Sequence, residues 1–254
     1  MKIVVDDSII SYGHAAAFSG FTASKHDSKT ISSYDVFDRT KPDVYIGDIS
    51  KLSRQVLRIL EERPDLKAVF IEPQQSENIE NYKLALTDTF GDLYPVIKDK
   101  PKADLVHYRG AQKVKELYAD LVSLDSNPKE AILNINLPDH YIFRIFSQDI
   151  IRHNNYCGFI QEYNKKNIYK SSKFSISYDD NYYNSALCDC YPINPSCTED
   201  VLKIINTNTN KDLQLIKEEI ISKFNNFIAL SEILNILNLD KEAKLVTSKI
   251  GEAL

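Results

Sequence analysis

The sequence predicts an α/β protein of two successive lobes, each built from short parallel strands alternating with helices, with further helices at the C-terminal end. Three observations carry this expectation. Apolar runs of strand length recur between segments of helical period, the mark of β-α-β units around a parallel sheet. The pattern breaks at the polar, proline-containing stretch Asp125-Ser126-Asn127-Pro128 and then starts again. From Asp212 to Leu237 apolar residues recur only at helical spacing. A chain of 254 residues accommodates one large domain or two lobes of about 100–150 residues each. The linker selects two, residues 1–125 and 126–254.

In the first lobe, Ile3-Val4-Val5, Asp43 to Asp48 and Leu66 to Ile71 read as strands. Between the last two, Ser50 to Arg63 sets Leu52, Val56, Leu57 and Leu60 at helical spacing, with Ser50 as N-cap and Pro64 as the stop. That makes one complete β-α-β crossover. A helix over Ser76 to Phe90, a short strand over Tyr94 to Ile97 and a helix over Gln112 to Leu124 complete the lobe. In the second lobe, Ala131 to Ile135, Tyr141 to Phe146 and Cys157 to Ile160 read as strands. A helix around Asn167 to Lys170, a strand over Lys173 to Ser177, a short helix over Ala186 to Cys190 and a strand at Pro192-Ile193 follow. The apolar positions between Asp212 and Leu237 predict two helices packed against the lobes.

Composition narrows the function classes. With 43% hydrophobic and 26% charged residues the chain is of ordinary globular type, and no segment approaches the roughly 18–20 apolar residues of a membrane helix. No membrane partner is expected. Met1 to Asp7 has one positive charge and a short apolar run interrupted by acids, which suits a buried strand rather than an export signal, so a cytoplasmic location is expected. Cys157, Cys188, Cys190 and Cys197 fit neither paired Cys-x-x-Cys nor a Cys/His zinc pattern and read as reduced structural thiols. A net charge of -5 disfavours coating of nucleic acid by bulk attraction. One local basic strip remains: Lys98, Lys100, Lys102, Arg109, Lys113 and Lys115, with His107 among them and only Asp99 and Asp104 opposing. It reads either as a solvated face or as a set of phosphate contacts.

The stretch from Tyr141 to Pro195 carries four phrases in a telling order: Tyr141 to Phe146, Cys157-Gly158-Phe159-Ile160, Ile168 to Ser177, and Asn184 to Ile193. In that order it resembles the C-terminal, nucleotide-sugar-binding lobe of GT-B glycosyltransferases. Those enzymes run a strand, a Gly-containing strand, a helix with a Tyr-x-x-Ser-Lys phrase, a further strand and a helix ending in Pro-Ile. The resemblance implies two Rossmann-like lobes, an acceptor lobe followed by a donor lobe whose tail helices return to the first. It also implies metal-independent transfer of a sugar from a nucleotide-diphosphate sugar, with no cofactor besides that donor substrate. Carboxyl ends of parallel strands and helix N-termini would converge on one crevice that favours a diphosphate. Among such enzymes the layout is similar to that of phage DNA glucosyltransferases, which modify hydroxymethylated pyrimidines. DNA thereby becomes the implied acceptor, with Lys98, Lys100, Lys102, Arg109 and Lys113 on its phosphates, and the host cytoplasm the implied location if the chain is phage-encoded.

The same resemblance assigns roles. Asn184 stands where the family has an acid that holds the ribose hydroxyls, and Asp189 stands where glycine is usual. Gly158, Tyr182, Ser185 and Asp189 join it at the donor, together with Gly13 of the segment Ser11 to Gly20, read as a loop. The family's basic, glycine-bearing loop after the first strand of this lobe is missing, since Ile135 to His140 is short and lacks both residue types. Arg144, Arg152 or Lys173 would have to replace it. The Asp179-Asp180 pair is not read as a metal site, because this class does not need one. Sugar transfer needs a base for the acceptor proton. Val69-Phe70-Ile71-Glu72-Pro73 ends a strand as the family's base-bearing strand does and nominates Glu72, with a helix cap as the plainer reading. His14, between Gly13 and Gly20, and Asp48, at another strand end, are the other candidates; a surface residue and a helix cap are their plainer readings. A non-catalytic protein that kept the fold is the competing class, and a GT-B-type sugar epimerase a second. A monomer or homodimer fits either.

Overall fold

The computed structural model describes residues 1–27, 30, 34–73, 78–108, 132–134, 166, 169–170, 174–176, 180–193 and 210–254. The protein is α/β, and its chain divides into two units: Met1–Lys100 with Asn226–Ala253, and Pro101–Asn225.

The first unit is built on five parallel strands, β1 (Lys2–Asp6), β2 (Thr22–His26), β3 (Val44–Asp48), β4 (Lys67–Glu72) and β5 (Val96–Lys98), in the order β2-β1-β3-β4-β5. Strands covered on both faces read as continuous apolar runs. Accordingly Ile3, Val4 and Val5, all of β3, and Ala68 to Ile71 are buried. Helices α1 (Ser11–Phe18), α2 (Asp35–Thr40), α3 (Arg54–Glu62) and α4 (Ile79–Phe90) connect them. Val56 and Leu60 of α3 join Val4, Phe37, Tyr45, Phe70 and Leu86 in the core on one face of the sheet. Gly47 has a packing reason: a Cβ there would meet the Tyr45 ring at 2.9 Å, so only glycine lets that ring lie along β3.

Strand β2 falls where no element was expected, since Thr22, Ser24 and Lys25 interrupt any apolar run; it forms as an edge strand paired along its length with β1, from Lys2↔Thr22 to Asp6↔His26. One expectation for this unit is corrected. Ser50 does not cap the crossover helix. Asp48 caps a 3-10 turn over Ile49–Lys51, and Ser53 caps α3, its hydroxyl accepting from the Val56 N–H at 3.2 Å. The chain therefore takes two short steps where the apolar spacing suggested one helix.

Three C-terminal helices belong to this unit: α8 (Asn226–Ile236), α9 (Asp240–Ser248) and α10 (Ile250–Ala253). Phe227, Leu230, Ile233 and Leu234 of α8 are fully buried, and Phe227 meets Phe18 of α1 edge to face at 5.7 Å. Asn226 Nδ2 donates to the Ser11 carbonyl at 3.0 Å, and Lys67 Nζ donates to the Leu237 carbonyl at 2.8 Å. Of the two helices expected over Asp212 to Leu237, the first is α7 (Asn210–Ser222), which lies in the second unit.

The second unit holds α5 (Leu105–Tyr108), a parallel sheet of order β6-β7-β8 (Ile132–Asn134, Phe174–Ile176, Tyr191–Ile193) and α6 (Asp180–Leu187). Helix α6 links β7 to β8 and ends in a turn with Asp189 at φ 60, where the Cys190 N–H returns to the Ser185 carbonyl at 3.1 Å. Tyr108, Tyr169, Cys188 and Cys190 form a buried cluster. The expected helix at 112–124 and strands at 141–146 and 157–160 lie outside the described residues, as do Cys157 and Cys197.

Candidate functional site

In an open parallel sheet ligands bind outside the carboxyl ends of the strands, at the point where the strand order reverses. In the five-stranded sheet that point lies between β1 and β3. The strand ends there deliver Asp6, Asp48, Glu72 and Lys98 to one edge, followed by Asp7, Ser8 and Asp99.

Asp6 is 1% exposed and organises the edge from beneath. Its carboxylate lies 2.5 Å from His26 Nδ1, accepts the Tyr45 hydroxyl at 3.0 and 3.1 Å, and accepts the Asp48 N–H at 2.8 Å. Burial, then the Asp6 charge, holds the Tyr45 phenol well above its ordinary range. The His26 ring sits among the rings of Tyr34, Phe37 and Tyr45, at 4.7, 5.4 and 6.2 Å. Sequence reasoning did not find this cluster, because His26 joins it only once β2 is recognised as a strand.

The three proposed bases differ in what already holds them. Asp48 is buried; its Oδ1 accepts from the Ser50 N–H at 2.9 Å and the Ser50 hydroxyl at 2.7 Å, and its Oδ2 from the Ser8 hydroxyl at 2.7 Å. Its carboxylate is occupied in capping a turn. Glu72 keeps 19% of its side chain exposed and pairs through Oε2 with Lys83 of α4 at 2.8 Å, while Lys83 also reaches Glu80 at 3.0 Å. The hydrogen bonds that Lys83 donates to Glu72 and then to Glu80 raise its ammonium above its ordinary value. Lys98 stands opposite Glu72 in register and is exposed. His14 does not lie on a loop: Ser11–Phe18 is helix, with the His14 N–H bonded to the Ile10 carbonyl at 3.0 Å. Alanines and Tyr12 give this segment a face that packs on the sheet, and the same packing explains Gly13. A Cβ at Gly13 would meet Ile10 at 3.3 Å and Val5 at 3.7 Å, so the glycine serves the approach of α1 to β1.

Nearby, Lys51 pairs with Asp7 at 2.7 Å. Burial pushes the Asp7 carboxyl up, but the Lys51 hydrogen bond and charge outweigh it and leave Asp7 below its ordinary value. Tyr12 donates its hydroxyl to Asp99 at 2.7 Å.

In the second unit, Tyr182, Asn184 and Ser185 lie on α6, with Asp189 in the turn after it. The helix begins at Asp180, earlier than the short helix expected over Ala186 to Cys190, so Asn184 stands one turn into it and not at its start. Asn184 is buried and its Oδ1 accepts the Asp104 N–H at 2.9 Å. Asp180, one turn earlier, accepts the Lys102 N–H at 2.8 Å, so the two side chains hold alternate amides of one extended segment. Ser185 donates to the Tyr182 carbonyl at 3.0 Å, and burial pushes the Tyr182 phenol up to about 12. Asp189 pairs with Lys217 of α7.

Of the basic strip, Lys98 is exposed, Lys100 pairs with Glu232 at 3.1 Å, and Lys102 is 3% exposed, which withdraws it from an open basic face. Arg109, Lys113, Arg144, Gly158 and Lys173 lie outside the described residues. Among the described residues no group of three or more His, Cys, Asp or Glu side chains is placed to hold a metal ion, and no helix is long and apolar enough to cross a membrane.

No family model matches the sequence, and no curated protein matches it. The class defined here is that of an α/β protein on a parallel five-stranded sheet whose carboxyl edge carries a buried aspartate, a capping aspartate and an accessible glutamate.

Proposed function

We propose that the protein transfers a sugar from a nucleotide-diphosphate donor to a hydroxyl acceptor, with a hydroxymethylated base in DNA as the specific acceptor. The observation that carries this reading is the occurrence of two separate parallel sheets in two units, the second containing the strand-helix-strand run β7-α6-β8 at the phrases that resemble a donor lobe. The membership of the tail helices in the first unit also supports it. Glu72 is the base in this proposal. Its Oε1 has no partner among the described residues, whereas both oxygens of Asp48 are taken. A base must reach the acceptor hydroxyl and carry its proton away as the sugar bond forms. Lys83 pairs with the other carboxylate oxygen of Glu72, and Lys98 beside it supplies positive charge toward an anionic acceptor.

One observation favours the second reading, a non-catalytic binding protein. The Asn184 oxygen, at the place where the resemblance puts ribose recognition, already accepts a backbone N–H. Transfer of radiolabelled glucose from UDP-, GDP- or ADP-glucose to hydroxymethylcytosine DNA, beside unmodified DNA, separates the readings. Label confined to the modified DNA, reduced about 10²–10⁴-fold by Glu72→Gln, is the expected result. Absence of label from both DNAs removes the DNA acceptor, and release of free nucleotide without labelled acceptor points to another nucleotide-sugar enzyme.

A further inference from the structure

We draw no further inference here: the strongest candidate, the buried His26–Asp6–Tyr45 cluster beneath the carboxyl edge of the five-stranded sheet, whose His26 Nε2 has no hydrogen-bond partner among the described residues, belongs to the site already described and turns its ring into the aromatic core of Tyr34 and Phe37, so nothing in it points to a ligand.

Discussion

Asp6 ties three strands together through one side chain, since His26 is on β2, Tyr45 and the Asp48 amide are on β3, and Asp6 itself ends β1. Removing a buried carboxylate strands its partners without water, a cost of about 3–5 kcal/mol for a buried pair. Asp6→Ala should therefore lower the unfolding free energy by about that amount, read from urea denaturation. A loss below about 1 kcal/mol would mean the cluster is not held as described. Glu72→Gln should behave oppositely: the Lys83 pair is partly exposed, so stability should change by no more than about 1 kcal/mol while transfer falls steeply.

Burial also sets the alkaline limit. It raises the Cys188 thiol from 9.0 to about 12 and Tyr182 from 10.0 to about 12, with Tyr45 and Tyr169 well above their ordinary value. Each group is held neutral in the folded state and ionises earlier when unfolded. Their contribution is complete below about pH 9 and is lost as pH rises toward 12, so melting temperature should fall across that window. In the native protein at pH 8, Cys188 should resist iodoacetamide and react only after denaturant is added, as mass spectrometry of the labelled peptide would show. Rapid native labelling would contradict its burial.

At the scale of elements, what the sequence revealed and what it hid have a common cause. Strands β1, β3 and β4 were legible because both faces are covered and the runs are apolar throughout. Strand β2 was hidden because an edge strand with polar residues has the composition of a loop, and α1 because Gly13 suggested looseness where it provides close packing. The acids at strand ends were legible as candidates. That Asp48 is occupied was not, because Ser8 reaches it from forty residues away in sequence. Two substitutions test these elements. Ser53→Ala should cost about 1 kcal/mol through loss of the α3 cap. Gly47→Ala should cost about 1–3 kcal/mol, because the new methyl must displace the Tyr45 ring and with it the hydroxyl bond to Asp6. A Gly47→Ala protein of unchanged stability would contradict the ring's position.

At the scale of the whole molecule, the chain leaves its first unit after Lys100 and comes back to it at Asn226, so the first unit is completed only when the last helices have been made. Phe227, wholly buried, is the anchor of that return. Phe227→Ala should cost about 3–5 kcal/mol, and a chain ending at Asn225 should fail to form a soluble first unit. The enzymatic reading depends on the second unit binding an activated sugar. The most direct measurement is the melting temperature of the purified full chain with and without millimolar UDP-, GDP- and ADP-glucose. The account predicts an upward shift with one of them, equivalent to about 2.7 kcal/mol when the donor stands at a hundredfold excess over its dissociation constant. An unchanged melting temperature with all three would contradict it.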